Sequence, residues 1–442
     1  MKRAAAKNLK NRTINSSVWV TAGYGLQQIL RFASNIILTR LLFPEAFGLM
    51  TIVQTIMFGL SMLSDIGIQP SIIHNKRGNE PAFLNTAWTI HVIQGFLIFM
   101  VILAITPFFA DFYQQPMLLQ LLPVVGFSAI IAGFNSTKLA TANRDLLMAK
   151  VTILELVTYI ISLIVTVVLA WIYKSVWALV WGLLVGAFLK ALASHFYLPG
   201  PHNRFAWEKP ALHALFGFGA WIFLSSALTF ISGEGIKLVV AKFLDIKMLA
   251  FYTLASIMSL VFWQAMQQLA GRVFFPAYSE VLREHPEKMV RLLTKARLIM
   301  IGSAGLFALF FVFFGDIFMR FVYDERYADS GILLQILAMG SLASIVVGSY
   351  SGVFFAKGLV AISTLTQAIQ VVVQLLAIFI GAYYFQEKGV ILALAVIHWL
   401  VYPVYAYFLH TKAGLWQPKI DLPFLAFSAV ISYFVFNSLH YI

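Results

Sequence analysis

The 442-residue chain is 61% hydrophobic and only 11% charged, and its formal net charge is +13. So apolar a composition excludes an ordinary soluble domain, and basic connections facing anionic lipid explain the positive charge without nucleic acid. The absence of cysteine excludes disulfides and cysteine-based metal sites.

Thirteen apolar stretches follow one another along the chain. A hydrocarbon core about 30 Å thick requires roughly 20 apolar residues per helix. The predicted spans are 14–38, 46–68, 85–109, 117–137, 151–172, 176–197, 213–236, 248–270, 295–314, 331–353, 362–384, 389–409 and 423–442. The basic start precedes an apolar run too long for a signal peptide, so we expect an uncleaved first span. The pattern predicts an all-α, polytopic membrane helix bundle.

Basic residues are distributed unequally between the two sides of this bundle. The N-terminal tail, alternate connections and their borders carry 22 of the 31 Lys and Arg residues, and the opposite connections carry 8. Arg31 is counted as the one cation inside a span. The positive-inside rule predicts a multi-pass protein of the bacterial cytoplasmic (inner) membrane with a cytoplasmic N-terminus.

Three pairs of segments resemble each other in the same order along the two halves. They are Leu118–Leu122 with Leu333–Leu337, Ala142–Leu146 with Ala356–Val360, and Thr39–Leu42 with Ala241–Leu244. Six spans per repeat predict parallel repeats, as in transporters whose site lies between two lobes. The predicted domains are an N-lobe (13–198, helices 1–6), a C-lobe (205–411, helices 7–12) and an extra C-terminal transmembrane helix (420–442).

Four motifs resemble those of Wzx-type polysaccharide flippases. Arg40–Leu49 is similar to the R-L-L-x-P-x-x-F-G link after their first helix, and Ser64–Ile68, Phe218–Trp221 and Arg272–Tyr278 resemble segments of their second, seventh and eighth helices. The resemblance covers residues 14–410. It implies membership of the multidrug/oligosaccharidyl-lipid/polysaccharide exporter superfamily. The expected function is movement of an undecaprenyl-pyrophosphate-linked oligosaccharide, such as an O-antigen or exopolysaccharide repeat unit, to the outer leaflet. Many members have fourteen helices, against thirteen predicted here.

Arg31 is the most costly residue of the first span, at about 2.5–3.5 kcal/mol on insertion scales. Tyr24, Gln28 and Asn35 share its helix face by their spacing. Because a guanidinium binds phosphate in a bidentate manner, we predict substrate contact for Arg31, Gln28 and Asn35. A structural ion pair, for instance with Asp65, is the alternative.

The seventh span carries a second polar stripe, predicted to face the same central cavity. Its members are Ser226, Thr229, Gly233 and Lys237. Thr229 and Lys237 are candidate substrate ligands, and Glu234 and Asp65 are candidates for ion or proton coupling. The alternative is that Lys237 reaches the interface and pairs with Glu234. The glycines of Gly233–Gly235 predict a bend.

Glutamines dominate the remaining polar positions. Gln264, Gln267 and Gln268 lie in the eighth span, and Ser363, Gln367, Gln370 and Gln374 share one face of the eleventh. Amides suit sugar hydroxyls in a wet cavity, so Gln268, Gln367, Gln370 and Gln374 are predicted substrate ligands. Hydrogen bonding between helices is the alternative for each.

Sequence motifs for catalysis are missing. The chain has no phosphate-binding loop of the Walker type, no metal-site spacing and no paired carboxylates at a cavity position. We therefore predict a monomeric, non-enzymatic flippase that works by alternating access without metal or cofactor. Its expected partners are the lipid-linked oligosaccharide and membrane lipids, and not nucleic acid. The alternatives are an ion-coupled multidrug exporter, a membrane glycosyltransferase or polymerase, and a scaffold that binds other glycan-assembly proteins.

Overall fold

The computed structural model describes residues 2–64, 67–213, 215, 230–231, 233–269, 274–350 and 352–439. These residues form helices joined by short turns, and no β-strand occurs among them. Helices satisfy their own backbone hydrogen bonds, which is what a chain in hydrocarbon requires. The predicted all-helical class is confirmed.

The chain forms two compact units, Met1–Leu238 and Val239–Ile442. The helices of the first unit are α1 (Lys2–Leu41), α2 (Pro44–Ser64), α3 (Ile68–His74), α4 (Pro81–Tyr113), α5 (Leu118–Gly133), α6 (Lys138–Arg144), α7 (Met148–Tyr173) and α8 (Trp177–Phe196). Within this unit α4 packs on α5, α5 on α8, α8 on α7, and α7 on α1. Gly95 permits the close approach of α4 to α5, since a Cβ there would lie 2.5 Å from the carbonyl oxygen of Ala129.

Helix α9 (Ile236–Phe243) crosses the unit boundary. The helices that follow are α10 (Ile246–Leu269), α11 (Phe275–Glu284), α12 (Met289–Val322), α13 (Ser330–Gly348), α14 (Val353–Ala356), α15 (Val360–Phe408) and α16 (Pro418–Leu439). Helix α13 is almost wholly buried and packs on α10, α12, α15 and α16. It is the centre of the second unit.

Eight helices of the described part are long and apolar enough to cross a membrane. They are Pro44–Ser64, Pro81–Tyr113, Met148–Tyr173, Trp177–Phe196, Pro286–Val322, Ser330–Ala356, Ala361–Ala413 and Pro418–Leu439. Helices α5 and α6, bent by 57°, make a ninth if they form one span. By length and composition, the chain is a multi-pass membrane protein.

Some predicted spans do not correspond one to one with these eight helices, and each case has a physical reason. Spans 362–384 and 389–409 lie on either side of a kink at Gln386, in two helical segments that α15 counts as one stretch. Span 14–38 lies in α1, whose polar residues make it less apolar than the eight. The apolar part of α10 is short, Ile246–Val261, and span 213–236 lies mostly outside the described residues. The crossings by α1, α10 and span 213–236 remain predictions.

Helix α15 contains a sharp kink at Gln386, whose φ of 52° and ψ of −135° are not helical. The helical segments on either side meet at Gly381 and Gly389. A Cβ on Gly381 would lie 2.3 Å from the carbonyl oxygen of Gly389, and a Cβ on Gly389 would lie 1.9 Å from that of Gly381. Only glycine allows the backbones to approach so closely.

We expect Gly381→Ala to destabilise the second unit by roughly 1–3 kcal/mol, since the methyl group must displace backbone rather than a side chain. Gly302→Ala is the matched control, because Gly302 also lies in a helix but has nothing within 4 Å of its Cβ position. That control is expected to be neutral or slightly stabilising. Chemical unfolding in detergent micelles measures both variants. Equal stability of the two would contradict the close approach at the kink.

A lysine closes the end of a helix at comparable places in the two units. Lys138 is 4% exposed, and its Nζ donates to the carbonyl oxygen of His195, 2.7 Å away, at the end of α8. Lys357 donates in the same way to the carbonyl oxygen of Ala413. The last carbonyls of a helix lack partners within it, so such a cation stabilises them. This correspondence favours the predicted two-lobe repeat, which remains a prediction.

The start of the predicted seventh span packs within the first unit. Ala211 and Leu215 are fully buried against Ile68, Phe83 and Leu84. The unit boundary after Leu238 therefore falls later along the chain than the predicted start of the C-lobe at 205. At the other end, α16 packs on α12 and α13 of the second unit.

Candidate functional site

Arg31 lies on an exposed face of α1. Gly23 lets α1 pack closely on α7, because a Cβ there would overlap the side chain of Thr152. The polar side chains lie beside this packed face, and Arg31 is exposed whereas Gln28 and Asn35 are half-buried. Gln28 Nε2 donates to the hydroxyl of Tyr24 at 2.8 Å. The structure thus brings together part of the predicted stripe.

The guanidinium of Arg31 has no hydrogen-bond or ion-pair partner within the described part of the chain. Asp65, its predicted alternative partner, lies outside the described residues. An unpaired cation in a membrane span is costly unless it faces water or an anionic ligand. Arg31 therefore has the exposure and the free donors that a phosphate requires.

Lys237 and Glu234 form an ion pair of 2.5 Å, and their side chains are 23% and 45% exposed. The chain turns at Gly233–Gly235, where the amide of Gly235 donates to the carbonyl oxygen of Phe230. The two glycines explain this turn, which the sequence predicts as a bend. Lys237 consequently lies on α9, after the turn, and Thr229 lies outside the described residues. To bind a phosphate, Lys237 would first have to release Glu234.

Three glutamines of α15 form the second candidate face. Gln367 is exposed, and Gln370 and Gln374 are half-buried. Their side-chain amides have no hydrogen-bond partner within the described residues, whereas the neighbouring Thr366 hydroxyl is satisfied by the Ser363 carbonyl. An unpaired amide in hydrocarbon costs free energy, so this face suits contact with water or hydroxyls. Gln268 lies on α10, and its side chain is outside the described part.

The second unit contains a buried ionic cluster that sequence reasoning missed. Arg297 and Asp421 form an ion pair whose side chains are both 0% exposed. Arg297 also donates to Ser349 and Gln417, at 2.9 and 3.0 Å, and its guanidinium lies 3.7 Å from the centre of the Tyr350 ring. The hydroxyls of Tyr350 and Tyr402 donate to the second oxygen of Asp421, each at 3.0 Å.

This cluster joins α12, α13, α15 and α16, and its charges are fully paired. Its charges bind each other and neighbouring side chains, so we expect it to stabilise the bundle rather than to bind substrate. The expectation that Arg31 is the one cation inside a span is wrong, since Arg297 lies within α12 and Lys190 within α8. The sequence shows an Arg and an Asp near the starts of two apolar stretches, but it does not show that the two side chains pair.

Within the described residues, no group of three or more His, Asp or Glu side chains is arranged to hold a metal ion. Four carboxylates in or near the spans are instead paired with cations. These pairs are Glu155 with Lys190, Glu234 with Lys237, Asp316 with Arg320 and Asp421 with Arg297. The exposed, unpaired polar groups of the candidate faces are thus a cation and amides, which suit phosphate and sugar.

Comparison with known proteins places these features in a family. Residues 37–332 match the family model described as "Polysaccharide biosynthesis protein". The chain is 24% identical over 445 aligned residues to the lipopolysaccharide biosynthesis protein WzxC of Escherichia coli (strain K12), covering 95% of this chain and 88% of that protein.

Two solved structures share the fold of the chain. One is a multidrug resistance MATE family transporter of the MOP superfamily in an inward-facing conformation, with a TM-score of 0.67, 16% identity, and coverage of 95% of this chain and 99% of that one. The other is the lipid II flippase MurJ in an inward closed conformation, with a TM-score of 0.67, 12% identity, and coverage of 94% and 92%. At these identities the likeness concerns the fold alone.

Proposed function

The chain belongs to the polysaccharide biosynthesis protein family, and we propose that it is a flippase for an undecaprenyl-pyrophosphate-linked oligosaccharide. In this proposal the substrate moves from the cytoplasmic to the outer leaflet of the bacterial inner membrane by alternating access. The N-terminus and the more basic connections lie in the cytoplasm. The names of the similar proteins WzxC and MurJ support polysaccharide assembly and lipid flipping as the class of function.

The observation that carries this proposal is that Arg31 is exposed on an apolar bundle and has no partner among the residues that the structure describes. A pyrophosphate that crosses a bilayer needs a counter-charge, and a guanidinium supplies charge together with two parallel hydrogen bonds. The amides of Gln367, Gln370 and Gln374 can donate to and accept from sugar hydroxyls. The substrate ligands in this proposal are Arg31, Gln28, Asn35 and the glutamine face, with Lys237 after exchange of Glu234.

The same fold also serves drug exporters, so exporter function is the second candidate. A transporter of cationic drugs or one driven by a cation requires a carboxylate that is available to bind it. Glu155, Glu234 and Asp421 are each held by a cation in this structure. A membrane glycosyltransferase is less compatible with this structure, because glycosyl chemistry usually uses a pair of carboxylates, one on either side of the bond.

Cells that lack the protein are expected to accumulate lipid-linked repeat units in the cytoplasmic leaflet and to lose surface glycan. Their susceptibility to cationic dyes should stay unchanged, since a cavity with a free Arg repels cations. Lipid extraction with leaflet-specific labelling, together with dye susceptibility, measures both effects. Normal glycan display combined with dye hypersensitivity would contradict the flippase and favour the exporter.

A further inference from the structure

An apolar groove runs along the first unit between α2 and α4, and its volume is about 370 Å³. Leu60 and Leu63 of α2 line one wall, and Ile90, Ile93, Leu97 and Val101 of α4 line the other. The α4 residues recur every three or four positions, so they share one helix face. At 1.5 Å per residue, this face extends roughly 16 Å along the membrane-spanning helix.

The two polar residues in the wall of the groove are already hydrogen-bonded. Its polar members Ser64 and Gln94 bind each other, since Gln94 Nε2 donates to the Ser64 carbonyl at 2.7 Å. The groove therefore suits hydrocarbon and not a sugar. Its lining follows one face of α4, so a hydrocarbon chain can lie in it along that helix.

One end of the groove is closed by a short extended segment, residues 203–208, which we call the strap. Alternate amides of the strap donate to side chains on the first turns of α4: Arg204 to Asn85, Ala206 to Thr89 and Glu208 to Thr86, at 3.0, 3.1 and 3.1 Å. Trp207, which lies between Ala206 and Glu208, lines the groove itself. The strap thus ends where the apolar face of α4 begins.

The other contacts of the strap fix it to the first unit. Asn203 accepts from Ser136 and donates to Thr137, both at 2.6 Å, and the ring of Phe205 lies 4.8 Å from that of Trp88. Trp207 nevertheless remains 56% exposed. An exposed Trp beside an apolar wall is typical of the level of the lipid headgroups.

The charge around the strap is positive. Its one carboxylate, Glu208, binds Arg77, with Nη2 of Arg77 2.8 and 2.9 Å from the two oxygens. Hydrogen bonds to Glu208 and Glu80 raise the pKa of Arg77, so the pair stays ionised. Arg204 and Lys209, on either side of Trp207, are exposed and have no ion-pair partner among the described residues. An apolar groove next to a strap region with two exposed cations, unpaired among the described residues, fits a lipid with a phosphate head.

From this juxtaposition we infer that the groove between α2 and α4 binds the polyprenyl chain of the lipid-linked substrate, with its pyrophosphate held near Arg204 and Lys209. The inference rests on the proposed function and adds a second, lateral site to it. The substrate docks here from the cytoplasmic leaflet, and its tail stays in the groove while the head is transferred. Arg31 has no part in this site.

Photocrosslinking tests the site with the full-length protein in nanodiscs of zwitterionic lipid. The probe is undecaprenyl pyrophosphate with a diazirine on its chain and no sugar. Leu97→Trp fills the groove and should lower labelling of α2 and α4 to the level of a probe free in the bilayer, because the indole occupies the space of the chain. Ile164→Trp is the matched control, because Leu97 and Ile164 are 60% and 56% exposed but Ile164 lies outside the groove.

Two further variants keep the test decisive. Leu97→Ala adds no bulk and should weaken labelling less than Leu97→Trp. Replacing Arg204 and Lys209 together by Gln should reduce labelling by the pyrophosphate probe but not by the uncharged polyprenol. Equal labelling of Leu97→Trp and Ile164→Trp would overturn the site. Displacement of the probe by phosphatidylglycerol as effectively as by unlabelled undecaprenyl pyrophosphate would do the same, because the groove would then be a general lipid site.

The outcomes also separate this inference from the proposed function. If labelling depends on Leu97 but the protein moves no lipid-linked oligosaccharide, the groove stands and the flippase proposal fails. If the protein flips its substrate while the Leu97→Trp variant is labelled as strongly as the unaltered protein, the flippase proposal stands and the groove inference fails. Arg31→Ala should leave groove labelling unchanged.

Discussion

Replacing Arg31 by alanine is expected to abolish transport of a pyrophosphate-linked oligosaccharide while leaving insertion and folding intact. The variant removes charge-assisted hydrogen bonds to phosphate, which alone are worth about 1.5–3 kcal/mol, or roughly ten- to a hundredfold in rate. It also leaves the pyrophosphate without a counter-charge in an apolar environment, which raises the barrier further. It removes no partner from the described part of the protein, so stability should not fall. Arg31→Lys keeps the charge but loses the bidentate geometry and should restore transport only in part.

Lys190→Ala is the control for this experiment. Lys190 is also a cation of a predicted span in the first unit, but it is already bound to Glu155 at 3.1 Å. Its removal should leave transport unchanged. Initial rates of flipping in proteoliposomes, at equal protein incorporation, compare the three variants. Full transport by Arg31→Ala would remove the basis of the substrate-site proposal.

The largest effect on stability is expected at the buried pair in the second unit. Asp421→Asn is nearly isosteric, yet it leaves the fully buried charge of Arg297 without its counter-charge. Breaking a buried pair on one side typically costs about 3–5 kcal/mol. The double variant Arg297→Met with Asp421→Leu should be more stable than Asp421→Asn, because no charge then remains unpaired. Chemical unfolding in detergent measures all three proteins.

The exposed pair of Glu155 and Lys190 supplies the matched comparison. Its side chains are 46% and 38% exposed, so Lys190→Ala should cost at most about 1 kcal/mol. If Asp421→Asn is as stable as the unaltered protein, the ion pair does not hold α16 to the second unit. If the double variant is less stable than Asp421→Asn, the hydroxyls of Tyr350 and Tyr402 matter more than the charges.

Much of the helical framework was readable from apolar periodicity. The predicted spans 85–109 and 151–172 lie within Pro81–Tyr113 and Met148–Tyr173, because length and hydropathy alone specify such segments. The glycines at 233–235 also predicted the turn before α9. Spans 362–384 and 389–409 were readable in the same way, on either side of Gln386. What hydropathy did not reveal is the close contact of Gly381 with Gly389 at the kink between them.

The candidate site was readable only in part. Arg31 could be singled out because a charge in an apolar run is conspicuous, and its exposure agrees with the proposed role. Arg297 could not be paired with Asp421, since the two lie 124 residues apart and nothing local links them. The strap was equally hidden, because the amides of Arg204, Ala206 and Glu208 donate to side chains more than a hundred positions earlier. Such contacts depend on tertiary structure and leave no periodic trace in the sequence.

The most direct test is flipping by the purified protein in proteoliposomes that contain a fluorescent undecaprenyl-pyrophosphate-linked oligosaccharide. A membrane-impermeant quencher reports the fraction of the substrate in the outer leaflet over time. The unaltered protein is expected to move the substrate between leaflets, and Arg31→Ala to remain at the rate of protein-free liposomes. Absence of movement by the unaltered protein, with transport of a cationic dye in the same vesicles, would contradict the proposed function.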